Sequence, residues 1–421
     1  MFPKLRFKEF DENWKEVTLK NCITSIDSGW SPQCESYPAN SSEWGVLKTT
    51  SVDWSGFNSS FNKKLPLELT PRKEIEVKPL DILVTRAGPT ERVGVVSVVP
   101  HSVRSKLMIS DKLIRLKSNE ENNPLFLGIS LSSVKCQNQL QSKTSGLAKS
   151  QTNISQKILG EVLLKLPSKE EQTKIASFLS AVDEKISQLT KKHELLSQYK
   201  QGMMQKLFSQ QLRFKADDGS EFGEWENKTL SNFIIKHIGG ASLKPSDFVE
   251  QSEYEVIPKK AIVPNGYLNL DKDNPTYCSE DFFKANLKNT VDNTYLVTVL
   301  RDLVPSGPSI GYIVKYMENT QYILAQGVYG FKLKEELNKD FLIHFSNTKA
   351  YRLVMQSIMV GSTQVHIRNQ DFFGIEIPVP CLEEQTKIAN FLSAIDQKIE
   401  VVAQQIEQAK TWKKGLLQQM F

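Results

Sequence analysis

The chain has 421 residues, of which 39% are hydrophobic, and a formal net charge of +5 with an isoelectric point near 8.7. Its five cysteines are scattered, which argues against a disulfide framework and a zinc ribbon. Its N-terminal stretch lacks an apolar segment, which argues against a signal peptide, and its apolar runs are far shorter than the roughly 20 residues of a transmembrane helix. We therefore expect a cytoplasmic protein of two or three domains without membrane association, whose mildly basic charge tolerates a nucleic-acid partner without requiring one.

A strand-rich domain is the first large element predicted along the chain. Residues 12–167 contain short apolar runs such as VGVVSVV at 93–99, separated by Gly, Pro, Asn and Ser, which is typical of strands joined by turns. Pro167 ends this stretch. We predict a globular domain over 12–167, preceded by a separate N-terminal segment over 1–11.

A long helix is predicted over 168–211. Its opening residues, KEEQ at 169–172, place carboxylates where they favour the helix dipole. Apolar residues then recur every seven positions, and a second apolar line runs beside the first. This heptad pattern indicates a coiled coil.

The second half of the chain repeats the first. The segment EEQTKIASFLSAVDEKI at 170–186 returns as EEQTKIANFLSAIDQKI at 383–399, with 14 of 17 positions identical. Such repetition indicates two copies of one structural unit. We therefore predict a second strand-rich domain over 212–380 and a second helix over 381–421.

The repeat also includes the N-terminal segment. The motif LRFK at 5–8 returns at 212–215, directly after the first helix. The segment 1–11 therefore corresponds to a stretch that follows a helix in the second copy. We predict that segment 1–11 completes the circular repeat, by taking the place in the first copy that the stretch after the first helix takes in the second copy.

Each predicted helix carries more apolar surface than one facing helix can bury. We expect these residues to form the contact between the helices and to bind partner proteins. They are Ile175, Phe178, Val182, Leu189, Leu196, Tyr199 and Met203 in the first helix, and Ile388, Phe391, Ile395, Val402, Trp412 and Leu416 in the second.

The order of these motifs carries a resemblance to a known family. LRF, a variable domain and P-x-x-EEQ-x-KIA-x-FLSA-x-D-x-KI, all present twice, resemble the specificity subunit of type I restriction-modification systems over essentially the whole chain. The resemblance implies that each variable domain is a target recognition domain, which reads one half of a split, asymmetric sequence in double-stranded DNA. It also implies that the helices set the unread gap and dock two methyltransferase subunits, which restriction and translocase subunits join for cleavage.

The same resemblance has implications for chemistry and fold. The chain is expected to be non-catalytic and to hold no cofactor or metal, while S-adenosylmethionine, ATP and Mg²⁺ are expected in partner subunits. The repeat and the heptad pattern, together with the resemblance, predict a fold that is α/β in the broad sense (α+β). It has two strand-rich target recognition domains separated by two long antiparallel coiled-coil helices, with a pseudo-two-fold internal repeat.

Two places in each half suit contacts to bases or phosphates, because polar side chains there follow apolar strands or lie in turns. Arg86 follows DILVT, and Arg301 follows YLVTVL in the same way. The pair Lys259 and Lys260 is a weaker candidate, since lysine pairs are common on surfaces. The candidates before the last strand of each half are Lys143, Lys149, Gln151 and Asn153, and Ser362, Thr363, Gln364, His366 and Arg368.

Other classes of function stay open from the residues alone. NPTY at 274–277 resembles the Asn-Pro-Pro-Tyr loop of adenine methyltransferases, although no Gly-rich cofactor turn precedes it and an Asn-Pro turn explains it as well. Glu76 and Lys78 have the Glu-x-Lys spacing of a nuclease metal site. A DNA-independent assembly adaptor is the remaining alternative.

Overall fold

The computed structural model of the protein describes residues 3–144 and 152–421. Its contacts divide the chain into unit 1, which is Met1–Thr190 with Gln404–Phe421, and unit 2, which is Lys191–Ala403. Both ends of the chain belong to unit 1. This division differs from the predicted one, in which each long helix is a domain of its own, because the two ends of each helix pack into different units.

Unit 1 is rich in short strands. Its largest sheet has the order β2-β11-β7-β9 and is antiparallel throughout, and smaller sheets have the orders β10-β3-β6, β1-β13, β8-β12 and β4-β5. The strands are β1 (Lys15–Thr18), β2 (Ile23–Ser28), β3 (Gly45–Leu47), β4 (Val52–Asp53), β5 (Gly56–Phe57), β6 (Asn62–Lys64), β7 (Ile82–Thr85), β8 (Ala87–Gly88), β9 (Val96–Val98), β10 (Leu107–Met108), β11 (Leu113–Ser118), β12 (Thr152–Asn153) and β13 (Leu163–Leu166).

The strands of unit 2 repeat this arrangement. Its sheet β15-β24-β20-β22 matches β2-β11-β7-β9, and the pairs β14-β26 and β21-β25 match β1-β13 and β8-β12. The predicted internal repeat is therefore confirmed. The strands are β14 (Glu226–Thr229), β15 (Ile234–Gly239), β16 (Phe248–Val249), β17 (Val256–Ile257), β18 (Tyr277–Cys278), β19 (Thr290–Val291), β20 (Leu296–Val299), β21 (Arg301–Asp302), β22 (Ile313–Val314), β23 (Tyr322–Leu324), β24 (Val328–Leu333), β25 (Val365–His366) and β26 (Glu376–Val379).

Each unit builds its core on both faces of its four-stranded sheet. In unit 1, alternate residues of β7 face opposite sides, as the period of a strand requires. Ile82 and Val84 join one apolar cluster with the short helices, and Leu83 joins another with β3 and β10. All three side chains are fully buried.

The helices add to this mixed architecture, which confirms the α+β class. In the described ranges no helix combines the length and apolarity needed to cross a bilayer. The helices are α1 (Pro124–Leu131), α2 (Val134–Ser142), α3 (Gln156–Gly160), α4 (Lys169–Phe208), α5 (Glu280–Ala285), α6 (Lys339–Ser346), α7 (Lys349–Ile358), α8 (Asn369–Phe373) and α9 (Leu382–Met420).

Within each unit, the start of one long helix lies beside the end of the other. In unit 1, Asp183 near the start of α4 pairs with Lys413 near the end of α9 at 2.5 Å. In unit 2, Asp396 of α9 pairs with Lys200 of α4 at 2.6 Å. The same ion pair is thus formed once in each unit, and the predicted antiparallel pairing of the helices is confirmed.

The N-terminal segment closes unit 1 in the way that a continuous chain closes unit 2. The backbone amide of Leu5 donates to the carbonyl oxygen of Gln419 at 3.0 Å, and the amide of Leu212 donates to that of Lys206 at 3.1 Å. Gln419 and Lys206 occupy matching positions in the two helices. The N-terminal segment therefore takes the place in unit 1 that the stretch after α4 takes in unit 2.

Candidate nucleic-acid interface

A two-stranded ribbon in unit 1 brings the two predicted places of the first half together. β8 pairs with β12 so that Asn153 lies opposite Ala87. The amide of Ile154 donates to the carbonyl oxygen of Arg86 at 3.0 Å. Arg86 is half-buried and Asn153 is exposed. These two candidates therefore lie on adjacent strands.

The matching ribbon in unit 2 places two candidates directly opposite each other. β21 pairs with β25 so that Arg301 faces His366. Val360 and His366 exchange backbone hydrogen bonds of 2.9 Å, which adds a third extended segment. Arg301 is exposed, and within the described residues its side chain has no hydrogen bond or ion pair.

A polar turn precedes β25. Ser362, Thr363 and Gln364 are exposed in this turn. Gly361 permits it, because its φ is +115° and a Cβ there would lie 2.1 Å from the carbonyl oxygen of Gln364. Arg368 follows β25 as the exposed residue before α8. All the second-half candidates after Arg301 thus lie on or beside the ribbon.

The remaining first-half candidates are less informative. Lys143 follows α2, and its ammonium lies 3.8 Å from the carboxylate of Glu161. Both side chains are about half exposed, so this pair contributes little to stability. Lys149 and Gln151 lie outside the described residues.

The strand register corrects one equivalence that the motifs suggested. Thr85 at the end of β7 pairs with the first residue of β11, and Val299 at the end of β20 pairs with the first residue of β24. Arg86 therefore matches Leu300, and Arg301 matches Ala87. The two arginines are therefore not equivalent. Aligning LVT at 83–85 with LVT at 296–298 would match Thr85 with Thr298, but the strand pairing matches Thr85 with Val299, one residue further along.

Lys259, which the sequence ranked low, lies close to Arg301. A Cβ built on Gly327 would lie 2.7 Å from Cε of Lys259 and 3.1 Å from Cβ of Arg301, so both side chains lie against this glycine. Burial, and then the positive charge of Arg301, lower the pKa of Lys259, and Asp302 offsets this only in part. The two side chains thus lie close together beside the ribbon, and the charge of Arg301 acts on Lys259.

In unit 1, an arginine near the position that matches Lys259 is already paired with a carboxylate. The guanidinium of Arg92 donates to the carboxylate of Asp53 at 2.6 Å and to the carbonyl oxygen of Val52 at 2.7 Å. Hydrogen bonds from Ser55, followed by that from Arg92, lower the pKa of Asp53. The two ribbons are therefore built alike but carry different side chains at matching positions.

The residues predicted to form helix contacts separate by exposure. Tyr199 and Trp412 occupy matching positions in α4 and α9 and are 52% and 54% exposed. Phe178, Leu196, Met203 and Phe391 are half-buried. The buried members are Ile175, Val182, Leu189, Ile388, Ile395, Val402 and Leu416.

The segments that suggested an enzyme have structural roles. The amide of Asn274 donates to the carboxylate of Asp271 at 3.1 Å, and Tyr277 begins β18, which pairs with β16. This is a turn that leads into a short strand. Glu76 and Lys78 form an ion pair with each other.

A family model matches most of the chain. Its description is "Type I restriction modification DNA specificity domain", and it matches residues 34–197 and 223–411. The EcoEI specificity subunit of Escherichia coli is 40% identical over 171 residues, which are 40% of this chain but only 29% of that protein. The MjaVIII specificity subunit of Methanocaldococcus jannaschii is 28% identical over 352 residues, which are 82% of this chain and 79% of that protein.

Solved structures share the fold. A type I restriction-modification S subunit from M. genitalium has a TM-score of 0.63 and 16% identity, with coverage of 100% of this chain and 99% of that one. A structure of a type I restriction-modification system, described for its complex assembly and conformational transition, has a TM-score of 0.54 and 17% identity over 98% of this chain. At these identities the likeness concerns the fold alone.

Proposed function

Because the chain belongs to the type I restriction-modification DNA specificity family, we propose that it is the subunit that recognises the DNA sequence in such a system. In this role it is non-catalytic, and methylation and cleavage take place in partner subunits. Those partners hold S-adenosylmethionine, ATP and Mg²⁺. The complex works in the cytoplasm, on double-stranded DNA.

One observation carries the proposal: the two units share a framework but differ at the ribbon. Unit 2 presents Arg301 opposite His366, whereas the same position of unit 1 has Ala87 opposite Asn153. Sequence is read by side chains that contact base edges, and a changed side chain changes the base preferred. Two ribbons with different side chains suit two different half-sites.

The long helices supply the proposed partner surface. Tyr199 and Trp412 are exposed aromatics at matching positions, and exposed aromatic side chains are enriched where proteins bind each other. A repeated surface feature suits two copies of one partner. We therefore assign these positions to two methyltransferase subunits, with restriction and translocase subunits joining that complex.

The test is methylation-sensitive sequencing of DNA from cells that express the chain with its methyltransferase subunit. We expect one bipartite motif. Purified complex should bind that motif with an affinity that falls steeply with salt, because phosphate contacts release counterions. A chain that assembles its partners but shows no salt-dependent DNA affinity would be the assembly adaptor instead.

A further inference from the structure

Two positively charged side chains of unit 2, those of Lys259 and Arg301, lie against one glycine, Gly327. Lys259 is partly buried, and within the described residues neither it nor Arg301 has a hydrogen bond or ion pair from its side chain. The nearby carboxylate of Asp302 is engaged elsewhere. It accepts hydrogen bonds from the amide of Val304 at 3.1 Å and from the hydroxyl of Ser309 at 2.8 Å.

The backbone holds this pair in place. The carbonyl oxygen of Gly327 accepts from the amide of Leu300 at 3.1 Å, so the glycine lies beside the residue before Arg301. Its φ is +89°, and a Cβ there would lie 3.2 Å from Nζ of Lys259. Any larger residue would therefore be strained and would press on the lysine. In unit 1 the carbonyl oxygen of Lys112 accepts from the amide of Arg86, as that of Gly327 accepts from Leu300 in unit 2, so Lys112 occupies the position of Gly327.

A ligand with electron-rich acceptors would offset the repulsion between these two side chains. Like charges held together in a partly buried place repel each other and lose hydration. Groups kept in such an arrangement are candidates for a binding site. The ligand must offer electron-rich acceptors to an ammonium and a guanidinium at once.

The position of the pair on the ribbon indicates the ligand. A two-stranded β-ribbon fits the major groove of B-DNA, where guanine presents two acceptors, N7 and O6, and where Arg and Lys contacts to them are the commonest specific ones. We propose that Lys259 and Arg301 together read one guanine in the half-site recognised by unit 2. This inference rests on the proposed function.

Unit 1 lacks the pair, which makes the inference specific to one half-site. A short 3₁₀ helix, Thr49–Ser51, follows β3, and the matching one, Lys259–Ala261, follows β17, so Thr49 stands in unit 1 where Lys259 stands in unit 2. Ala87 likewise matches Arg301. The nearby Arg92 is already paired with Asp53. The guanine is therefore assigned to the half-site of unit 2 and not to that of unit 1.

The experiment compares Lys259→Met with Lys260→Met in the full complex with methyltransferase subunits. Lys260 is the matched control, because it is the next residue, is 64% exposed and lies 3.6 Å from Asp271. We expect Lys259→Met to lose about ten- to a hundredfold in affinity for the recognised DNA and to accept other bases at one guanine. Lys260→Met should keep the affinity and the motif, and Lys259→Arg should keep part of the discrimination.

Further readouts make the outcome decisive. Replacing that guanine by 7-deazaguanine, which lacks the N7 acceptor, should weaken the wild-type complex but not Lys259→Met. The variant should also melt no lower than wild type, because it removes a repulsion. A uniform loss on all sequences, with the salt slope reduced by about one, would instead mean a phosphate contact and overturn the guanine assignment. A wild-type complex that binds DNA without any sequence preference would refute the proposed function itself.

Discussion

The contacts of Glu171 and Gln172 explain why the EEQ motif occurs twice in the sequence. The carboxylate of Glu171 accepts two hydrogen bonds of 2.7 Å from Arg6 and one of 3.4 Å from Trp14. The side chain of Gln172 accepts from the amide of Asn123, the residue that caps α1, at 2.9 Å. Unit 2 repeats these contacts with Glu384, Arg213 and Trp225, and with Gln385 and Asn338.

These contacts change the interpretation of the repeated motif. If the motif were repeated in order to bind a partner, its polar residues would be exposed. Glu171 and Gln172 are 1% and 2% exposed, so they are not available to a partner. They join the helix to the N-terminal segment and to α1. A repeated intramolecular junction, rather than a shared docking surface, accounts for this part of the motif.

The first prediction concerns this junction. Arg6→Met leaves the Glu171 carboxylate buried without its charge partner, which typically costs about 3–5 kcal/mol of stability. Urea unfolding of the full chain measures the loss. Lys8→Met is the control, because Lys8 is a nearby exposed residue. Equal stability of the two variants would show that the buried pair contributes nothing.

The second prediction concerns the charge of Lys259. Its pKa is lowered, so the ammonium loses its proton at a lower pH than an ordinary lysine does. Discrimination at the guanine should therefore weaken as the pH is raised into the alkaline range. Lys259→Arg should show no such decline, since a guanidinium stays protonated. Affinities for cognate and guanine-substituted DNA over a pH series test this, and parallel pH profiles for the two proteins would contradict it.

At the scale of elements, the contact between α6 and α9 in unit 2 contains a buried polar cluster. His344 Nε2 lies 3.1 Å from the hydroxyl of Ser393, and Lys200 pairs with Asp396 nearby. Burial, followed by the charge of Lys200, lowers the pKa of His344 from its ordinary 6.5 to about 3. Unit 1 has Ile129 at the position of His344, according to the matching caps of α1 and α6. The two helix contacts are therefore not chemically alike.

The third prediction follows from this cluster. His344 is neutral in the folded state but becomes charged in the unfolded state below about pH 6.5, so unfolding takes up about one proton between pH 6.5 and about 3. Stability should decline as the pH falls through this window. His344→Ile should remove that contribution, whereas His101→Gln, at an exposed position, should not. Urea unfolding over a pH series measures it, and an unchanged slope in His344→Ile would contradict the prediction.

The fourth prediction concerns α4. Inserting four residues between Ser187 and Gln188 adds roughly 6 Å and keeps the apolar stripe nearly in phase, because four is close to 3.6 residues per turn. With about 3.4 Å per base pair, the same half-sites should be read across a gap that is one or two base pairs wider. Inserting two residues turns the stripe by about 200° and should abolish assembly. The methylated motif is the readout, and an unchanged gap with full activity would mean that the helix does not set the spacing.

At the scale of the whole molecule, the proposed function assigns one half of the DNA recognition sequence to each unit. The ribbon of unit 1 lies within 12–167 and that of unit 2 within 212–380. Replacing 12–167 by the corresponding region of a relative should therefore change one half-site only. Replacing 212–380 should change the other. Sequencing of methylated DNA identifies both, and a single replacement that altered both half-sites would refute the division.

The sequence by itself determined the repeat, the two long helices and the family. Heptad periodicity and near-identical segments are local features, and they can be read without knowing which parts of the chain meet. The same is true of the closure by the N-terminal segment, since LRFK marks the matching point in both halves. Position along the chain was therefore enough to establish the architecture.

Only the tertiary structure decided which polar residues meet. Arg301 faces His366 across a ribbon, and Lys259 joins Arg301 through Gly327, although these residues are far apart in the chain. Short strands carry too little periodicity to reveal their register. In the register of the structure, Leu300 and not Arg301 occupies the position in unit 2 that Arg86 occupies in unit 1. Side-chain charge depends on burial and neighbours, and both arise when distant segments pack. The chemistry of the reading surface is for this reason a property of the fold rather than of any one segment.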